Sequence, residues 1–82
     1  MISNDFHYRV INDYYLVYHK SKDGHIATII YYPYLEKWLI NIFYNYEGEW
    51  KGAEEDLDIA KLKTELKILE IIKNLKSRKI NE

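Results

Sequence analysis

Eighty-two residues allow a single domain, and a chain of that size buries only about 60 to 65% of the surface its unfolded form exposes. With no cysteine there is neither a disulfide nor a thiolate-zinc staple, so large side chains must carry the core, and 16% of the residues are aromatic. Twelve Lys and Arg against thirteen Asp and Glu argue against a DNA mimic, which needs a strong negative excess, and against a generic nucleic-acid binder, which runs basic.

The opening MISNDFHYRV lacks a basic lead followed by an apolar run, so no secretory leader is expected. No apolar stretch approaches the ~18 to 20 residues of a membrane span. The expectation is a cytoplasmic protein without a membrane role. The richness in Ile, Lys, Asn and Tyr suits an AT-rich genome, as in many bacteria and their phages.

The first strand is expected at about 6–11, where Phe6, Tyr8 and Val10 alternate with His7, Arg9 and Ile11. Asn12 and Asp13 supply a two-residue turn into a second strand at about 14–19, YYLVYH, which is aromatic and β-branched. KSKDG then closes a hairpin, with Gly24 available for a left-handed conformation. A third strand at about 25–32 ends at Pro33, which has no N–H to give a ladder. YLEK turns the chain into a fourth strand at about 38–46. Here Trp38, Ile40, Ile42, Tyr44 and Tyr46 take the buried side, and Leu39, Asn41, Phe43 and Asn45 the wetter one. EGEWKG, with two glycines, reads as a loop.

From about 53 to 78 the period becomes helical. Glu54, Glu55, Asp56 and Asp58 crowd the start, and Lys73, Lys76, Arg78 and Lys79 the end, as the helix dipole favours. Leu57, Ile68, Ile72 and Leu75 point one way, while Leu62, Leu66 and Leu69 lie roughly 120 to 180° from Leu57. A helix on one sheet needs an apolar stripe somewhat wider than ~100°, and this one has more. It is also long, about 39 Å at 1.5 Å per residue, against about 23 Å for a seven-residue strand. The fold expected is therefore α+β: a four-stranded antiparallel meander followed by one long C-terminal helix.

No constellation of side chains argues for catalysis. Three histidines include His19 and His25, which would face each other across a symmetric hairpin, but a third metal ligand is missing. Asp5, Asp13 and Asp23 sit at turn or terminal positions where aspartate serves the backbone. Ser and Thr have no nucleophile elbow, and three glycines form no phosphate loop. No cofactor, metal or enzymatic activity is expected.

The tyrosines carry the functional reading. Rings on the sheet face left bare by the helix suit a protein interface, because they bury large area at low entropic cost. Tyr15, Tyr31, Tyr34 and, in the expected loop, Trp50 are the candidate contacts. The surplus apolar side of the helix, around Leu62, Leu66, Leu69 and Ile72, suggests a homodimer. The expected role is stoichiometric binding of a protein target, of the kind a bacterial or phage inhibitor, antitoxin or anti-defence protein performs. The alternative is a single-stranded nucleic-acid binder that stacks bases on a Tyr-rich sheet, against which stands the scatter of Arg9, Lys20, Lys22, Lys37 and Lys51.

Overall fold

A computed structural model describes residues 5–43 and 48–81, with side chains through Lys76. Five antiparallel strands follow one another in space as they do in sequence: β1 Phe6–Ile11, β2 Tyr14–His19, β3 Ala27–Tyr32, β4 Lys37–Ile42 and β5 Trp50–Glu54. The helix α1, Leu57–Asn81, follows. The α+β meander with one C-terminal helix is thus the observed fold.

The turns form where their chemistry places them. Asn12 takes the left-handed conformation, φ 55°, in the two-residue connection that pairs Ile11 with Tyr14. Gly24, at φ 76°, bends the connection from β2 to β3. Pro33 ends β3, and the four-residue turn 33–36 closes with Glu36 at φ 52°. The amide of Leu35 donates to the carbonyl of Tyr32 there.

The elements depart from expectation in several places; β3 begins at Ala27 rather than near 25, and α1 runs to Asn81 rather than near 78. The fourth strand ends at Ile42, and positions 44–46 of the expected strand lie outside the described residues. The stretch read as a loop contains β5, a fifth strand. Its alternation is hard to read because one inward position is Gly52. A Cβ there would meet the Trp50 ring at 2.7 Å, so the glycine is what lets the indole fold across its own strand. The helix starts at Leu57 rather than near 53, since Ala53 and Glu54 belong to β5. Asp56 sets the start: its Oδ1 accepts the Ile59 amide at 3.1 Å, satisfying one of the donors a helix N-terminus leaves free.

The core lies between the sheet and one side of α1. Val17, Ala27, Ile29, Ile40 and Ile42 from the strands meet Ala60, Ile68 and Ile71 from the helix, all buried. Ala60 and Thr64 are fully buried and small, so the helix backbone comes close to the sheet; the Thr64 hydroxyl is satisfied by the Ala60 carbonyl at 2.7 Å. A helix about 10 Å wide cannot cover five strands spaced about 4.8 Å apart. Rings fill the difference. Tyr15 and Tyr31 pack against Trp38 at 5.6 and 5.0 Å between centroids, and Trp50 lies below Lys63 and Lys67.

The helix runs unbroken for 25 residues, about 37 Å, against about 20 Å for a six-residue strand. The molecule is accordingly elongated, 45 × 22 × 20 Å.

Candidate interaction surfaces

Strand alternation sends each side chain to one of two faces, and the ladders say which residues line up across them. Phe6 pairs with His19, Tyr8 with Val17 and Val10 with Tyr15 on the helix side. Ile29 pairs with Ile40, and Ile42 with Trp50, on that same side. Tyr15, Tyr31 and Trp50 therefore point toward α1, each half-buried. Their placement on the open face is corrected: Tyr15 and Tyr31 occupy odd positions in register with Ile29 and Ile40, and Trp50 sits in a strand. Of the four candidate rings only Tyr34 is displayed, 92% exposed in the turn after β3.

The open face carries a different set. One row crosses all five strands in register: Ile11, Tyr14, Ile30, Leu39 and Ala53. Every member is apolar or aromatic, and Ile11 and Tyr14 keep 52% and 39% of their surface. Tyr32 (46% exposed) and Tyr34 extend the patch, their centroids 6.1 Å apart. Next to the row, Ile11, Tyr14 and Ile30 with Asn12 and Asp13 line an open depression of about 420 Å³.

The neighbouring row, Arg9, Leu16, Thr28, Asn41 and Lys51, has a cation at each end. At the far end His7 stacks on Tyr18 at 4.6 Å, and His25 meets Tyr18 at 6.1 Å and Phe43 at 5.3 Å, edge to face. Among the strand positions of this face there is no carboxylate, while Arg9, Lys37 and Lys51 are cationic. Neither Arg9 nor Lys37 makes an ion pair among the described residues. Counting the face in which each ladder residue lies, rather than total charge, is the reading of the sequence that would have found this segregation.

The expected His19–His25 pair does not form. The Ile26 amide donates to the Val17 carbonyl at 2.8 Å while Ala27 also pairs with Val17. Two residues thus oppose one, a bulge that resets the alternation. It puts Ile26 in the core and His25 outside, whereas His19 is buried against Phe6 at 4.7 Å. His19 Nδ1 accepts the Ser21 amide at 3.0 Å and lies 2.8 Å from the Ser21 hydroxyl. The proton of the neutral ring is therefore on Nε2, which is buried without a partner among the described residues. Burial pushes the His19 pKa down, with Lys20 and Lys76 acting the same way and Asp5 opposing. No group of three or more His, Asp or Glu among the described residues is placed to hold a metal.

A polar cluster lies under the helix. Glu65 is fully buried and accepts the Tyr8 hydroxyl at 2.5 Å. Burial first, then this hydrogen bond and the carboxylate charge, hold the Tyr8 phenol protonated far above the ordinary tyrosine range. One turn earlier Lys61 places its Nζ 5.1 Å from the Tyr8 ring and 5.0 Å from the Tyr15 ring, a cation–π arrangement that needs no solvent. These side chains tie α1 to β1 and β2.

The outer side of α1 is the second apolar surface. Leu62 and Leu66 are 45% and 52% exposed, with Ile59 beside them. Leu69 and Ile72, expected in the same seam, are half-buried against the core. Leu69 borders the seam, and Ile72 lies on the sheet side because it falls roughly 60° from Leu57 on the wheel. Among the described residues no helix is long and apolar enough to cross a membrane.

Searches against protein-family models, curated proteins and solved structures found no match to this chain.

Proposed function

We propose that this protein is a non-enzymatic binding module that holds a protein target in a stoichiometric complex through the open face of its sheet. The observation that carries this reading is the row Ile11–Tyr14–Ile30–Leu39–Ala53, apolar or aromatic in every strand and lying on the face away from α1. A row about 19 Å long at 4.8 Å per strand, continued by Tyr32 and Tyr34, matches the apolar centre of a standard protein interface. Arg9, Lys37 and Lys51 then form a cationic rim that favours an acidic border on the target. An intracellular inhibitor, antitoxin or anti-defence protein works in this way, by occupancy and without turnover. Self-association through the outer stripe of α1, around Leu62 and Leu66, belongs to the same reading.

The test replaces Ile11, Tyr14 and Tyr32 together with serine. These side chains are exposed, so the variant is expected to keep the urea midpoint and far-ultraviolet spectrum of the parent. Affinity capture with the parent is expected to retain one target in equimolar amount, which the triple variant loses. Equal capture by both proteins counts against the open face.

One observation favours a second reading. Cations and rings on a carboxylate-free face also suit single-stranded nucleic acid, whose bases stack on aromatic faces beside a positive groove. Against it, His7 and Tyr18 spend a face on each other at 4.6 Å and 4°. Gel shifts with short single strands at about 50 and about 200 mM salt separate the two, because phosphate binding weakens steeply across that range.

A further inference from the structure

Building on the self-association just described, we propose that α1 packs against α1 of a second copy in antiparallel orientation, with the two-fold axis beside Leu66. The assembly then displays two open sheet faces pointing away from each other. An exposed apolar seam alone does not name its occupant; the charges beside it do.

Asp58 and Lys76 are eighteen residues apart, which is five full turns, so they stand on one flank of the seam. Both are exposed, and neither makes an ion pair among the described residues. Lys63 and Glu70 are seven residues apart and stand together on the other flank. A two-fold axis perpendicular to both helices lays each flank on the same flank of the copy with direction reversed. Each pair has its midpoint within one residue of Leu66. One axis therefore brings Asp58 to Lys76 of the copy on one side and Lys63 to Glu70 of the copy on the other. Leu62 meets Leu69 of the copy in between. A parallel pair, whose two-fold axis runs along the helices, would instead lay each flank on the opposite flank of the copy, with Asp58 near Lys63 and no acid within a turn of Lys76. Within the chain Lys63 already holds Glu54 at 2.8 Å and Lys67 reaches Glu70 at 3.4 Å, so Asp58 and Lys76 supply most of the orientational preference.

With the helices back to back the layers run sheet, helix, helix, sheet. The two open faces then lie about 30 Å apart on opposite sides. Such a dimer engages two copies of a target, or two sites on one, and gains the avidity of a bivalent binder.

The test is a charge swap read by light scattering over a dilution series. The parent is expected near twice 10.0 kDa. Asp58→Lys and Lys76→Asp are each expected to weaken the dimer by about tenfold or more, since two attractive contacts become repulsive. The double variant D58K/K76D is expected to return to within about threefold of the parent. Both positions are exposed, and matched far-ultraviolet spectra establish that the variants fold. As a geometric check, Leu62→Cys mixed with Leu69→Cys is expected to form the crosslinked heterodimer on oxidation, with little crosslinking of either alone. A monomeric parent overturns the proposal, as do single variants that dimerise normally, a swap that fails to restore, or self-crosslinking of Leu62→Cys. Binding of target by a monomeric parent would leave the open-face reading standing while removing this one.

Discussion

The two faces of the sheet are built from alternate residues of the same five strands, yet they are finished in opposite ways. On the helix side most large groups pack against others of the chain, the exposed Val10 apart. Trp38 lies between Tyr15 and Tyr31, Trp50 folds over Gly52 under two lysines, and the buried acid Glu65 is met by Tyr8. On the open side an apolar row of equal width lies partly exposed, beside Arg9 and Lys37, which make no ion pair among the described residues. A domain this small has one helix to spend, and one helix covers one face. The difference shows that ring content alone does not mark an interface here: the more heavily aromatic face is the one that holds the fold together.

Matched truncations break the comparison most directly. Ile29→Ala, at a fully buried position, is expected to cost about 2–5 kcal/mol, enough to unfold much of a domain this small. Urea denaturation followed by tryptophan fluorescence measures it. Next comes Tyr8→Phe, which leaves the ring and removes the donor to Glu65. A buried carboxylate that loses one hydrogen bond is expected to cost about 1.5–3 kcal/mol, and the same titration should place Y8F between the parent and I29A. If Y8F matches the parent, the Tyr8–Glu65 contact does not fasten the helix.

Gly52→Ala sharpens the account of β5. The new methyl would stand 2.7 Å from the Trp50 ring, so the indole must leave its place under Lys63 and Lys67. A loss of about 1–3 kcal/mol with a red-shifted tryptophan emission is expected. An unshifted spectrum would mean the ring does not rest there.

His19 gives a pH dependence with a definite sign. Its folded pKa lies below the ordinary value of 6.5, so the unfolded chain binds the proton more readily. The stabilising contribution is complete above about pH 6.5 and is lost as pH falls through that value toward the folded pKa. Urea midpoints are expected to drop from pH 7 to pH 5. His19→Phe, which keeps a ring beside Phe6, should remove the histidine part of that slope.

The smallest effect is expected on the open face. Ile11→Ala removes a side chain already half in water and should change stability by no more than about 0.5 kcal/mol. A loss near that of Ile29→Ala would show that the open row is a second core whose cover is part of the folded protein.

Much of the architecture was legible because it follows from local rules. The alternation within β1, β2 and β4, Asn12–Asp13, Gly24 and Pro33 each express a backbone preference that neighbours do not alter, and each stands where the chain alone indicated. Of the acids expected at the helix start only Asp58 lies in its first turn, because Glu54 belongs to β5 and Asp56 precedes the helix as its cap. The excess apolar perimeter of α1 was legible for the same reason, since a wheel needs only spacing. What the chain could not reveal were the outcomes of long-range pairing. A single bulge at Ile26 separates His19 from His25, and β5 exists because β4 offers it an edge. Which face the helix covers depended on residues far apart in sequence packing together. Period-two spacing divides Tyr15, Tyr31 and Trp50 from Tyr14 and Tyr32, but it is blind to which side α1 will take. Only the packing of Ala60, Thr64 and Ile68 against Ile29, Ile40 and Ile42 resolved that.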